Sequence, residues 1–533
     1  MKLLAGTLDL QNAKFLSQGR GTASGQATEL VMEALGQFFI KGKANDFQLL
    51  AESYLQDKEN ICAQLSGSYL IALYDVQKTA LLLLQDRFGS PLSLYYCENA
   101  GKLFFSTSLK ELLLRSAMPR ELNEAVIEEF LLNGYIYGKE TLLKQVFKLM
   151  PGNALYVQNG QVRQMEMRYP LKVLSPGSAL SNWDNSLRLA VQACFAEEAE
   201  ASLPISSGYD SNYILHVAAT ANVPNINAFC IGGKSGKNEL PAVEDNMRHY
   251  PQAKLFAALT SQDTLQSFPD LVWRLEGAVY ESGIFLQYEL AKLVKANGKK
   301  SLICGECADQ VMNEHFFSPE RVRPNQSAND LLYYAFDEYP YVFASYLILK
   351  KNGILLNSHG IEGRYPFLNE DFISVAKALT LLNGKDKRCH VANCHSLLPG
   401  EILANLSKIG GSTDLQSLFD CSAEAQSIVD YVQQSDFYQR FQKQIRRQSY
   451  AAKVEQKGLA KIKTRLRNLL LSLLGLGREN RRKNAVFMRE MQLKEFLCVL
   501  YLILFEKLII KEEFGVPLNA EQCTLKLKEI LQK

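Results

Sequence analysis

The chain has 533 residues, of which 47% are hydrophobic and 22% charged, so it is long enough for two or three globular domains with real cores. A formal charge of only +3 gives no global case for nucleic-acid binding, and eleven scattered cysteines in so large a chain do not read as a disulfide scaffold. A reducing, cytoplasmic setting is the expectation, since Asp9 interrupts the only apolar run near the start and no signal-peptide core follows it.

The first ~170 residues read as strand-rich. The apolar runs Tyr69–Tyr74 and Ala80–Gln85 flank Asp75–Lys78 as a hairpin, and Leu92–Tyr96 and Leu103–Ser106 form another pair across Glu98–Lys102. Leu109–Leu114 and Val126–Leu132 read as helices. From about Ser181 amphipathic helices alternate with short apolar strands at Leu203–Ile205, Ile226–Ile231, Leu255–Ala257 and Ser301–Cys304. That alternation predicts an α/β domain with a parallel sheet, whose ligand sites lie at the carboxyl ends of strands.

Two such ends carry chemistry. After the first strand, Ser206, Ser207 and Gly208 make a tight turn, and Asp210 and Ser211 open a helix continued by Ile214, Leu215 and Val217. A strand, a Ser/Gly turn and a helix N-terminus form an anion cradle, with free N–H groups and the helix dipole aimed at phosphate. A carboxylate beside phosphate makes sense where it holds Mg²⁺. The structural alternative is a Ser/Gly turn capping an ordinary helix. The loop resembles the S-G-G-x-D-S pyrophosphate loop of the ATP pyrophosphatase superfamily, with Ser207 in place of the first family glycine. After the strand Ser301–Cys304, Gly305-Glu306-Cys307-Ala308-Asp309-Gln310 supplies two more acids, and Asp309 is expected to share Mg²⁺ with Asp210. Cys304 and Cys307 as half of a zinc site is the weaker alternative, because no second Cys-x-x-Cys or His pair completes it.

The third region is helical. Between Lys443 and Lys483 thirteen Lys/Arg stand against two acids, with Leu459, Ile462, Leu466, Leu469 and Leu473 at helical spacing. It reads as a packed helix with a solvated basic face, or as a docking surface for an acidic partner or an anionic membrane. Phe496–Ile510 is strongly apolar but broken by Glu506 and Lys507, so a buried helix is expected rather than a membrane span.

Six blocks in order carry a further resemblance. Gln85-Asp86-Arg87-Phe88-Gly89-Ser90-Pro91-Leu92 with Tyr95-Tyr96, Phe105–Lys110, Met150-Pro151-Gly152-Asn153, Gly305–Gln310, Gly360–Asn369, and Leu397–Ile402 followed by Lys408 resemble the R-D-R-F-G-x-x-P-L-Y-Y, F-A-S-E-x-K, L-P-P-G-H, G-E-G-A-D-E, E-x-R-x-P-F-L-D and L-L-P-x-x-I…K segments of class B asparagine synthetases. The resemblance spans roughly residues 60 to 410. It implies an N-terminal Ntn-hydrolase-like β-sandwich in residues 1–175, an ATP-pyrophosphatase (adenine nucleotide α-hydrolase-like) parallel-sheet domain in 181–440 and a helical C-terminal extension in 441–533. It also implies ATP with phosphates on Ser206, Ser207, Gly208, Asp210, Ser211 and Gly305, adenosine near Ile231, and Mg²⁺ on Asp210 and Asp309. Glu306 becomes the candidate base that deprotonates an amine, and Lys408 the lysine on pyrophosphate; structurally, Glu306 reads as a helix cap and Lys408 as a surface lysine. Glu362 and Arg364 read as a structural ion pair, and Asn369 departs from the family aspartate.

Glutamine-using members begin Met-Cys-Gly, whereas this chain begins Met1-Lys2-Leu3-Leu4, and its first cysteine is Cys62. The expectation is an AMP-forming amide synthetase whose amine does not come from its own glutaminase domain, similar to β-lactam synthetases and lasso peptide cyclases. Its partners would be a carboxylate and an amine on a small molecule or peptide, in a natural product pathway. An ammonia-dependent asparagine synthetase-like enzyme and an ATP-binding pseudo-enzyme are the alternatives, and an RNA-modifying enzyme is disfavoured for want of an aromatic and basic surface near the loop.

Overall fold

A computed structural model describes residues 4–10, 15–17, 23–27, 30–40, 43–57, 61–62, 64–89, 92–167, 174–195, 200–233, 238–260, 264, 267–312, 344–383, 387–406, 431–441 and 497–511. Lys408, the stretch Asn313–Asp330 and the basic run Lys443–Lys483 lie outside these residues.

The first half is two stacked antiparallel sheets. β1 (Ala5–Asp9), β2 (Phe15–Ser17), β8 (Tyr95–Asn99), β9 (Lys102–Ser106) and β10 (Phe147–Lys148) form one, in the order β10-β8-β9-β1-β2. β3 (Ala23–Ala27), β4 (Leu30–Ile40), β6 (Leu65–Asp75), β7 (Ala80–Gln85), β11 (Asn153–Gln158) and β12 (Gln161–Glu166) form the other, in the order β12-β11-β7-β6-β4-β3, with β5 (Lys43–Ala44) on β4. The apolar runs Tyr69–Tyr74 of β6 and Ala80–Leu84 of β7 follow from burial on both faces, whereas Ser66-Gly67-Ser68 at the start of β6 is partly exposed. Leu70, Ala72, Tyr74, Leu81 and Leu83 point into the layer between the sheets. The alternate residues Tyr69, Ile71, Leu73, Leu82 and Leu84 pack under the helix Phe47–Asp57.

Both expected hairpins form, β6–β7 and β8–β9. The second starts at Tyr95 rather than Leu92, because the carbonyls of Gly89 and Leu92 are taken by side chains, Gln85 Nε2 at 2.5 and 3.1 Å and Lys350 Nζ at 2.7 and 2.6 Å. The helices Leu109–Ser116 and Ile127–Asn133 also form where expected.

The second half is a parallel α/β unit. β13 (Glu200–Pro204), β14 (Asn225–Gly232) and β15 (Ala253–Leu259) pair in parallel, with Ala201 opposite Ile226 and Ala228 opposite Leu255. β16 (Ser301–Ile303) lies alongside β13 and pairs in parallel with β17 (Glu362–Arg364). The chain therefore leaves β13 toward β14 on one side and returns as β16 on the other. Ligand crevices form where strand order reverses in this way, at the carboxyl ends, and here those ends are Ser206 and Gly305.

A third core joins the halves. Leu112, Ile127 and Phe130 from the first half pack with Phe268, Leu275 and Phe285 from the second, and residues 497–505 run between them, all buried as the sequence predicts. The Tyr501 ring stacks on Phe130 at 5.6 Å and meets Tyr280 at 5.6 Å. Gly277 takes φ +77, and a Cβ there would stand 2.5 Å from the Phe505 ring. Among the described residues no helix is long and apolar enough to cross a membrane. Truncating Phe505 opens this joint, so Phe505→Ala is expected to cost about 3–5 kcal/mol, read as a lower apparent thermal midpoint with the halves melting apart.

Candidate nucleotide and carboxylate site

The turn after β13 is built from its own hydroxyls. Ser206 N–H donates to Ser211 Oγ at 3.1 Å, Gly208 N–H donates to Ser206 Oγ at 3.1 Å, and the two hydroxyls lie 3.0 Å apart. Gly208 is the N-cap of the helix Tyr209–Thr220, with an extended backbone at φ −87. One turn in, buried Asn212 reaches back to hold the Ser206 and Gly208 carbonyls at 2.9 and 2.8 Å. Asn212 is oriented by Asn246, and Asn246 by Asn405, each through a 3.2 Å amide bond. This asparagine relay clamps the loop to two other helices; scattered single asparagines carry no signal in the sequence.

Ser207, the departure from glycine, is fully buried. Its N–H donates to Glu239 Oε2 at 2.9 Å. Burial pushes the Glu239 carboxyl above the usual carboxylate range, although the Ser207 bonds pull it back. Ile231 sits half-buried near the end of β14, opposite Ala258.

Gly305 brings the second arm against the first. A Cβ there would lie 3.5 Å from Asp210 Cβ and 3.7 Å from Ser211 N, ordinary contact distances that set the two arms side by side. Asp210 and Asp309 meet on one cation, the ammonium of Lys387, which pairs with Asp210 Oδ2 at 2.8 Å and with Asp309 Oδ1. His390, fully buried three residues further on, places Nε2 3.1 Å from Asp210 Oδ1. Burial alone would raise Asp210, but His390 and Lys387 outweigh it and hold the carboxyl below its ordinary range. Burial would likewise lower Lys387, yet the two aspartates keep its ammonium above the ordinary lysine value.

Neither Lys387 nor His390 was singled out from the sequence. Their i,i+3 spacing at the start of the helix Arg388–Leu397, directly before the Leu398-Pro399 block, is the one local signal that would have found them.

Glu306 does not act as a simple helix cap. Its Oε1 accepts from Gln287 Nε2 at 2.9 Å and from Asn352 Nδ2 at 3.0 Å. Asn352 also donates to Gln287 Oε1 at 3.0 Å, and its own Oδ1 accepts from the Tyr365 hydroxyl at 2.6 Å. Gly363 makes room for that hydroxyl, which a Cβ would strike. Burial pushes the Glu306 carboxyl up, against the opposing charge of Lys351 and the two amide bonds.

Glu362 and Arg364 form the expected ion pair at 3.4 Å, and Asn369 caps a helix by accepting from Asp371 and Phe372 N–H at 3.1 and 3.2 Å. Asparagine and aspartate cap equally well, so this departure from the family pattern leaves the cap intact. Cys304 and Cys307 are buried, with burial raising both thiols, and among the described residues no group of three or more His, Cys, Asp or Glu is placed to hold a metal. Two aspartates already converging on one cation still fit Mg²⁺, which completes its shell with water and phosphate oxygens.

Residues 34–169 match a glutamine amidotransferase domain family, and residues 182–339 match asparagine synthase. Asparagine synthetase B [glutamine-hydrolyzing] of Escherichia coli (strain K12) is 20% identical over 367 residues, 65% of this chain and 59% of that protein. Amidase chyE of Penicillium rubens is 23% identical over 51% of this chain and 43% of its own length. Asparagine synthetase [glutamine-hydrolyzing] 2 of Bacillus subtilis (strain 168) is 22% identical over 50% and 38%. The chain thus spans between about two fifths and three fifths of these relatives.

The opposite pKa displacements set a pH window for the carboxylate–lysine cluster. Asp210, being depressed, contributes stability that is complete above its unfolded value of about 4 and is lost as pH falls through the folded one. Lys387, being raised, contributes stability that is complete below about 10.4 and is lost as pH rises through its folded value. The stability difference between the native chain and Asp210→Asn, from denaturant unfolding, is therefore expected to be flat from about pH 5 to 9 and to shrink toward pH 3.

Proposed function

We propose, for a chain that belongs to the class B asparagine synthetase superfamily, an ATP-dependent, AMP-forming amide synthesis in which the amine does not come from glutamine hydrolysed by the chain's own first domain. The observation that carries this reading is the convergence of Asp210 and Asp309 at the carboxyl ends of β13 and β16, beside the Ser206–Ser211 turn.

Loop amides and the hydroxyls of Ser206 and Ser211 would receive the phosphates of ATP. Mg²⁺ bound by Asp210 and Asp309 would neutralise phosphate charge there. The substrate carboxylate attacks the α-phosphorus, the α–β bridge breaks, and pyrophosphate leaves an acyl-adenylate behind; positioning and electrostatics carry most of this step. An amine then attacks the acyl carbon, AMP departs with the bonding electrons, and the amine proton passes to Glu306. Burial supports Glu306 as acceptor, since a raised carboxyl lies closer to the operating pH. Lys408 remains the candidate lysine on pyrophosphate.

The described cysteines of the first domain support the second half of the proposal. Cys62 and Cys97 are both buried within it, and burial pushes the Cys97 thiol up to about 11. Glutamine hydrolysis needs an accessible thiolate, and these two are the opposite of that. The first domain then serves as a scaffold. An acceptor amine on the same molecule as the activated carboxylate would give cyclisation in a biosynthetic pathway, and a cytoplasmic setting suits an ATP-consuming enzyme.

Incubation with ATP, Mg²⁺ and pools of carboxylates should produce labelled-pyrophosphate exchange into ATP. Asp210→Ala should reduce it about 10²-fold or more, and exchange indifferent to that change would remove the site assignment. Glu306→Gln should keep exchange but slow amide formation by about 10²–10⁴-fold. Product formed without ammonia or glutamine supports an amine carried by the substrate; an absolute need for ammonia points to the ammonia-dependent alternative.

A further inference from the structure

The lysine between the two aspartates has a consequence for the order in which ligands enter. We infer that Lys387 is the resident counter-cation of the nucleotide-free site, and that the metal can enter only with nucleotide phosphates that draw the lysine away. The inference rests on the reading of Asp210 and Asp309 as the metal carboxylates.

The cation between the two carboxylates is already a lysine. Asp210 spends Oδ2 on Lys387 and has His390 at Oδ1, and Asp309 presents Oδ1 to the same Lys387 ammonium. A metal bridging both carboxylates would occupy the position of Nζ, and a dication beside an ammonium repels it strongly where both are partly desolvated. The lysine side chain is only 10% exposed and each aspartate 23%, so the exchange of one cation for another happens in a shielded place.

The arriving phosphates reverse the balance. Triphosphate adds anionic oxygens next to the Ser206–Ser211 turn, which gives the displaced ammonium new partners while Mg²⁺ takes over the aspartates. Metal and nucleotide affinities are then positively coupled, and by linkage each raises the other by the same factor. An empty site of two buried aspartates would collect stray divalent ions, or pay the repulsion of its own charges; a tethered lysine avoids both.

Binding of Mn²⁺, a hard oxygen-seeking substitute for Mg²⁺, can be followed by the loss of the free-ion signal in electron paramagnetic resonance on the full chain. The native protein is expected to bind Mn²⁺ weakly alone and at least about tenfold more tightly with ATP present, after correction for Mn·ATP in solution. Lys387→Met is expected to bind Mn²⁺ without nucleotide at least about tenfold more tightly than the native chain, and Asp309→Asn in that background to abolish the gain. Equal Mn²⁺ affinity of the native chain with and without ATP when calorimetry shows that ATP binds, or no gain in Lys387→Met, overturns the inference. Should Lys387→Met fail to fold, Lys387→Gln gives the same comparison, and the nucleotide dependence of the native chain decides alone. A gain of Mn²⁺ binding in Lys387→Met together with no ATP binding by calorimetry in either protein keeps the counter-cation role and removes the nucleotide reading instead.

Discussion

The active face of the second half depends on one ion cluster. Asp210 comes from the helix after β13, Asp309 from the short helix Ala308–Val311 after β16, and Lys387 from the start of a helix some 80 residues later; the three segments share one apolar core and meet in this ion cluster. Two partly buried carboxylates side by side would repel and would each shed part of its charge. With the ammonium between them, the depressed Asp210 and the raised Lys387 show each partner sustaining the ionised form of the other. Gly305 sets the two arms side by side, and the asparagine relay from Asn405 to Asn212 fixes the loop beneath them. The site is therefore assembled from tertiary contacts around a local motif.

That division explains what could be read from residues alone. The strands of the first half were legible because Tyr69–Tyr74 of β6 and Ala80–Leu84 of β7 are apolar without interruption and are followed by turn residues. The Ser206 turn, Asp210, Asp309 and Glu306 were legible because each sits at the end of a predicted strand, where α/β sheets place ligands. Lys387, His390 and Glu239 were not, since a lysine, a histidine or a glutamate on an ordinary helix has no local mark until another segment is brought against it. The same holds for the residues around Glu306. Nothing in the spelling of Gln287, Asn352 and Tyr365 says that their amides and hydroxyl close one network, because the three lie on different elements and only packing supplies the register.

That network also gives a meaning to the block around Gly360–Asn369. The backbone ladder holds β17 beside β16 and the Glu362–Arg364 ion pair runs along β17, while Gly363 and Tyr365 on the same strand and its exit direct Asn352 toward Glu306. A hydroxyl donor on Asn352 Oδ1 leaves only the amide nitrogen to face the carboxylate, so the orientation of Asn352 is set from behind. Buried networks of this kind are stable only when every member is satisfied. Glu306 is thus held in place by Gln287 and Asn352, with Tyr365 fixing Asn352 from behind.

A scaffold role for the first half rests on how the halves are joined. Lys350, buried on the helix Leu349–Ser358 of the second half, donates to the carbonyls of Gly89 and Leu92 in the first, and burial pulls its ammonium down to about 7. Asp86 shapes the same turn by accepting from Tyr69 and Phe88 N–H at 3.0 and 2.8 Å, and Gly89 turns the chain at φ +79. Gly89 and Leu92, from the block that resembles the corresponding segment of glutamine-using relatives, form here a socket for a lysine of the second half. The same helix carries Asn352, two residues from Lys350, on the way to Glu306. The first half thus grips the helix that carries Asn352 toward Glu306, so removing it is expected to loosen the network around that carboxyl.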